Sequence, residues 1–153
     1  MAGRGVEAYE VYPSLFIGPK PPTGTTLAKA GFRVLALCAH ENQPGPEDFP
    51  GVAVLQCPMD DNPFVGLSKQ DAETAVVAAK ALARGVRDGR PTLVTCQAGI
   101  DRSALVAGMI MWLLTGWSGD RIVATLRDRR PMALSLNAGM RKALQALPAR
   151  TRR

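Results

Sequence analysis

The 153-residue chain predicts one small α/β domain, with a mostly parallel central sheet of about four or five strands flanked by helices. Three observations predict this. Short, compact runs at 33–38 (RVLALC) and 92–95 (TLVT), apolar at their centres, read as strands buried on both faces. Helical periodicity separates and follows them, and the C-terminal part is helical only. Gly and Pro mark almost every expected junction.

Taken in order, residues 11–18 hold two short apolar pieces broken by Pro13, which suggests edge strands. The run 18–22 is a turn-rich loop. Residues 25–30 predict a short helix closed by Gly31. Strands are expected at 33–38 and 52–56, with a Pro- and Asn-rich loop at 41–50 between them. After a loop at 60–66, Ser68 is a candidate N-cap with Asp71 three residues on. The helix it opens runs to about Gly85, with Ala72, Val76, Ala79 and Leu82 as its apolar stripe. Residues 92–95 make the third buried strand, and 96–101 a loop. Helices follow at 102–114, closed by Gly116, at 118–129, capped by Ser118, and at 137–147 beyond Pro131. All of 1–153 reads as one domain, with a basic tail from about 148.

Composition narrows the function. The net charge of +6 and pI of about 9.7 favour acidic partners. No aromatic-interleaved basic strip exists, so nucleic acid is not the expected partner. Arg141, Lys142, Arg150, Arg152 and Arg153 read as a solvated helix end. Cys38, Cys57 and Cys96 form no CxxC pair and His40 is the single histidine, so neither a metal site nor a cofactor is expected. So few cysteines suit a reducing cytoplasm. Residues 1–10 hold no apolar run, which argues against a secretory leader, and the apolar stretch 104–114 is too short to span a bilayer.

Chemistry is concentrated in Thr92-Leu93-Val94-Thr95-Cys96-Gln97-Ala98-Gly99-Ile100-Asp101-Arg102-Ser103. A buried strand delivers Cys96 into a tight loop that opens a helix. N–H groups of Gln97, Ala98, Gly99, Ile100, Asp101 and Arg102 are placed to hold an anion. The same positive end favours the Cys96 thiolate, a nucleophile toward phosphorus. The planar fork of Arg102 matches two phosphate oxygens, and Ser103 is placed to hydrogen-bond the Cys96 sulfur. An acid is also required for the departing oxygen. Met59-Asp60-Asp61-Asn62-Pro63-Phe64 offers two carboxyls, with apolar Phe64 beside them to favour the protonated form. Once deprotonated, that carboxyl is suited to activating water. Cys38 and Cys57 read as core thiols. If the Cys38 strand neighbours the Cys96 strand, an oxidised Cys38–Cys96 disulfide is a further expectation.

Cys96 to Ser103 forms a CxxxxxR-Ser signature that resembles the protein tyrosine phosphatase superfamily, above all its dual-specificity branch. The resemblance extends to Glu10-Val11-Tyr12-Pro13-Ser14-Leu15-Phe16-Ile17-Gly18, Gly31-Phe32-Arg33-Val34-Leu35, Pro58-Met59-Asp60-Asp61-Asn62, Arg129-Arg130-Pro131 and Asn137. It thus covers about residues 9–147. It implies hydrolysis of phosphomonoesters, phosphotyrosine and often phosphoserine or phosphothreonine, through a phosphocysteine and without a metal. It also implies Cys96 as nucleophile, Arg102 as phosphate ligand, Asp61 as general acid and Ser103 as an aid to thiolate departure. Thr95 stands where the family usually has His. Asp101 is similar to the CxxGxDR loops of certain bacterial and lipid-directed phosphatases, although those commonly carry Lys at the position of Ile100. Two alternatives follow from these departures: a non-catalytic phosphate-binding module and a phosphoinositide-directed phosphatase. The partner in every case is a phosphorylated protein or another phosphomonoester.

Overall fold

The structure, a computed structural model, describes residues 5–150. Its strands are β1 (Tyr9–Tyr12), β2 (Leu15–Gly18), β3 (Val34–Ala39), β4 (Ala53–Met59) and β5 (Thr92–Thr95). Its helices are α1 (Thr26–Lys29), α2 (Lys69–Arg87), α3 (Arg102–Thr115), α4 (Gly119–Arg129) and α5 (Ala138–Gln145). A single 3₁₀ turn, Pro46–Asp48, interrupts the loop before β4.

The five strands form one sheet in the order β1-β2-β5-β3-β4. Only β1 and β2 are antiparallel; β2–β5, β5–β3 and β3–β4 are parallel. The two central strands, β5 and β3, are almost wholly buried, and side chains alternate between two cores. Leu35, Leu37, Leu93 and Phe16 pack with Leu27, Phe32 and Phe49 on the face under α1. Ala36, Cys38, Val94 and Ile17 pack on the other face with Leu105, Ile110, Leu126 and Leu144 from the larger helices.

Two expectations need correction. Of the first two strands, only β1 is an edge: β2 is bonded on both sides, to β1 and to β5. Pro13 sits in the tight turn between them, so it removes no ladder bond. In α2 the buried stripe is Ala75, Ala78, Ala79, Leu82 and Val86, while Val76 is 39% exposed. An alanine-rich helix carries several stripes at helical spacing, and packing against α3 selects the one whose small side chains allow close approach.

Sequence-coded ends fix the helices as expected. Ser68 accepts a hydrogen bond from the N–H of Asp71 at 3.0 Å, and Ser118 accepts one from Arg121 at 3.3 Å. Gly116 ends α3 in the left-handed conformation. Basic residues crowd the last turns of α2 and α4, where they complement the helix dipole. Among the described residues no helix is long and apolar enough to cross a membrane. Arg150 is more than a solvated tail residue. Its guanidinium bonds the Leu113 carbonyl at 2.6 Å and lies over the Trp112 ring. Arg152 and Arg153 lie outside the described residues.

Candidate active site

Parallel pairing of β5 between β2 and β3 places the ends of all three strands along one rim of the sheet. Cys96 follows β5 directly, and its N–H donates to the Gly18 carbonyl at 3.2 Å. Thr95, in the position where His was expected, donates its hydroxyl to the Ala36 carbonyl at 2.8 Å, tying β5 to β3 beside the nucleophile.

The loop after Cys96 is shaped by what its carbonyls touch. Gln97 O accepts from the N–H of Lys20 at 3.2 Å. Ala98 O and Gly99 O accept from Nη2 and Nε of Arg130, each at 3.3 Å. Ile100 O accepts from the N–H of Leu134 at 2.8 Å. Four consecutive carbonyls are thus drawn outward, to two segments distant in sequence. The N–H groups of Ala98 to Asp101, which share those four peptide planes, have no protein acceptor among the described residues, and planarity turns them to the inside of the curl. Such a ring of N–H groups, continued by the first turn of α3, is an anion cradle. Gly99 is required twice over. Its φ is +67°, and a Cβ there would lie 2.5 Å from the Gly18 carbonyl carbon.

Arg102 opens α3, yet its side chain is only 5% exposed. Glu41 binds it through both carboxylate oxygens, at 2.6 Å to Nη1 and 2.9 Å to Nη2, and the Met59 carbonyl accepts a second Nη1 bond at 2.9 Å. Its Nε is buried and has no hydrogen-bond partner. Burial is the largest single influence and works against the arginine's charge, but the Glu41 hydrogen bond and the negative charges of Cys96, Glu41 and Asp61 together outweigh it, and the pKa is raised. Glu41 is correspondingly held down at about 2, chiefly by the Arg102 hydrogen bond.

The Cys96 sulfur lies 3.3 Å from Ser103 Oγ; the thiol donates as drawn, and for a thiolate only the serine has a proton to give. Of the two candidate acids, Asp61 faces the site. Its carboxylate is 4.0 Å from Arg102 Nε and accepts from Asn137 Nδ2 at 2.8 Å. Asp60 is turned to solvent and pairs with His40 at 3.6 Å. Phe64 is 96% exposed, so the apolar wall expected beside the acid is not there. Asp101 turns its side chain to the residues just before α5. Its carboxylate is buried and accepts the N–H groups of Leu136 and Asn137 at 3.3 and 3.0 Å. Burial pushes its pKa up. What Asp101 has to offer an anion is its backbone. Cys38 and Cys57, at the ends of β3 and β4, lie Sγ to Sγ 3.6 Å apart, and all three cysteines are free and buried. The thiol within contact of Cys38 is thus Cys57, while Cys96 contacts Ser103.

Glu41 and the carbonyl-binding role of Arg130 were not foreseen. Glu41 stands 61 residues from its partner in an irregular loop, and no local pattern marks it. Arg130 stood out only as part of Arg129-Arg130-Pro131.

Comparison with known proteins agrees with this geometry. No family model matches the chain. It is 36% identical over 146 residues to mouse dual specificity phosphatase 28, covering 91% of this chain and 85% of the relative. It is 35% identical over 127 residues to the human protein of that name, covering 80% and 68%. A crystal structure of a mouse putative dual specificity phosphatase complexed with zinc tungstate superposes with a TM-score of 0.76 at 32% identity, over 94% of this chain and 86% of that one. The crystal structure of human dual specificity phosphatase 28 gives 0.74 at 31%, over 90% and 92%. With that similarity over most of its length, and with the cysteine loop and arginine in place, the chain belongs to the dual specificity phosphatases.

Proposed function

We propose that this phosphatase hydrolyses phosphomonoesters through a phosphocysteine formed on Cys96. The observation that carries the reading is the outward tethering of the Gln97, Ala98, Gly99 and Ile100 carbonyls around a buried cysteine. That arrangement pre-pays the orientation of the donors that bind a phosphoryl group.

The steps use groups of this chain and water. The Cys96 thiolate attacks phosphorus while loop N–H groups and Arg102 hold the non-bridging oxygens. Asp61 gives its proton to the leaving oxygen as the P–O bond breaks. The resulting Asp61 carboxylate then takes a proton from water, and the hydroxide attacks the phosphocysteine. Ser103 donates to Sγ as the S–P bond breaks, which stabilises the departing thiolate. Phosphate leaves and the thiolate is regenerated. Asn137 orients Asp61 through its Nδ2 bond, as described. Three sparse cysteines with no CxxC pair favour a reducing, cytoplasmic setting.

Hydrolysis of p-nitrophenyl phosphate, together with a panel of phosphopeptides and phosphoinositides, tests the assignment. Cys96→Ser is expected to abolish turnover and retain oxyanion binding. Asp61→Ala is expected to slow release of poor leaving groups by roughly 10²-fold or more, with less effect on activated ones. Turnover surviving in purified Cys96→Ser overturns the mechanism. Binding without turnover in the wild type supports the non-catalytic module instead.

A further inference from the structure

Among the described residues six large apolar side chains are exposed, and four of them border the Cys96 site. Phe64 (96% exposed) and Val65 (77%) stand in the loop that carries Asp61, and Met132 (46%) and Leu136 (59%) in the segment that tethers the phosphate loop. The other two, Val76 and Val77, lie on α2. The two site segments meet. Asn137 Nδ2 donates to Asp61 at 2.8 Å, and a Cβ on Gly139 would lie 2.9 Å from both Gly66 Cα and the Leu67 nitrogen.

Each segment holds its apolar side chains out on a tied turn. Asn62 closes the first: its side-chain oxygen accepts from the N–H of Phe64 at 2.9 Å, and its carbonyl from Gly66 at 3.2 Å. In the second, the Met132 carbonyl accepts from Ser135 at 3.1 Å. Leu134 is held there at φ +60°, a conformation leucine rarely adopts, with its N–H on the Ile100 carbonyl. The turn buries Ala133 and Leu134 and leaves Met132 and Leu136 in water. Backbone strain of this kind persists only where the surroundings impose it, and it gathers at functional sites.

We propose that this apolar rim is a substrate-recognition surface: it takes large apolar side chains next to the phosphorylated residue of a polypeptide while the Cys96 loop holds the phosphoryl group. This rests on the phosphate-site reading above. Apolar surface that adjoins an anion cradle fits a ligand charged at one point and apolar around it. A membrane phosphoinositide shares that description, and charge separates the two. Apolar tips that enter a bilayer are flanked by Lys and Arg, which meet its anionic surface. Here Phe64 and Val65 follow Asp60 and Asp61, and the Asp60 side chain is 72% exposed. Of the basic residues before Met132, Arg127 and Arg130 are bound to carbonyls and Arg129 is paired with Asp128 at 3.9 Å. The polypeptide is the better match.

Two phosphotyrosine peptides test the rim, alike except that one carries Leu on each side of the phosphotyrosine and the other Ser. Hydrolysis by the wild type is read as kcat/KM, and affinity for Cys96→Ser is read by calorimetry. The Leu peptide is expected to be favoured about tenfold or more on both measures, the scale of burying one large apolar side chain. Phe64→Gln combined with Leu136→Gln, in each background, is expected to bring that ratio below about threefold. Both side chains are exposed, so the fold does not depend on them, and the ratio cancels any loss of active protein. A preference for the Leu peptide within about twofold of unity before the rim is changed overturns the proposal, as does a preference that survives the double substitution. Peptide preference untouched, with loss of binding to phosphatidylcholine vesicles carrying phosphatidylinositol phosphate, overturns it in favour of a membrane. A wild type that hydrolyses neither peptide defeats the catalytic mechanism alone, because the two affinities still decide the rim. Cys96→Ser that binds neither peptide sinks both.

Discussion

Asp101 shows how one residue serves fold and site at once. Its carboxylate collects the N–H groups of Leu136 and Asn137, and Asn137 in turn holds Asp61. The carboxylate is buried, and its pKa is raised by that burial. For a carboxyl, a folded-state value above the unfolded one means that ionisation costs stability as pH rises through it. An amide oxygen accepts the same two N–H groups without a charge. Asp101→Asn is therefore expected to be neutral or stabilising at pH 7, whereas Asp101→Ala, which strands both donors, is expected to lose about 1–3 kcal/mol. Urea unfolding of the two variants checks the contrast. The proposed reacting residues could be picked out because the chemistry demands an order: strand, Cys96, glycine loop, Arg102, Ser103 within one short run. The direction of the Asp101 side chain was not, since it is set by a segment 35 residues away.

At the scale of elements, most helix starts and stops were written in single residues, Ser68, Gly116 and Ser118 among them. Pairing was not, and the five-strand order reads from hydrogen bonds between segments that no local pattern joins. The α3 helix illustrates the difference. Its composition announces burial on every side, but not which neighbour each side meets. Gly108 meets α5: a Cβ there would lie 2.6 Å from Leu144 Cδ1 and 3.3 Å from Ile122 Cγ2. Gly108→Ala is expected to destabilise by about 1–3 kcal/mol through overpacking, although alanine is the better helix former. Leu144→Ala leaves a cavity and is expected to cost about 2–5 kcal/mol. Combined, they are expected to cost less than their sum, because the added methyl moves into the vacated space. A double-mutant cycle by denaturant unfolding measures that coupling, and strict additivity would refute the contact.

Across the whole molecule, the two cores differ in what they support. The larger one joins four helices to the sheet, and the smaller one is closed by α1 and the loop through Phe49. The site stands at the sheet rim, where loops from both sides converge. Net charge points to acidic partners, a class that includes phosphorylated substrates, yet the +6 does not by itself locate the pocket.

The four tethered carbonyls of the phosphate loop have a consequence for how activity fails. Their donors belong to the stretch after β2 and to residues 130–134, which join strands and helices by irregular backbone. Such stretches open locally at lower free energy than a core does. Each opening frees a carbonyl, and the peptide it belongs to loses its reason to point its N–H inward. Activity is then expected to be lost before the fold. In rising urea, hydrolysis is expected to fall before the helical circular dichroism signal does, and amide exchange to quicken first at Lys20 and Leu134. Coincident loss of activity and helix would mean that the cradle is as firmly built as the sheet beneath it.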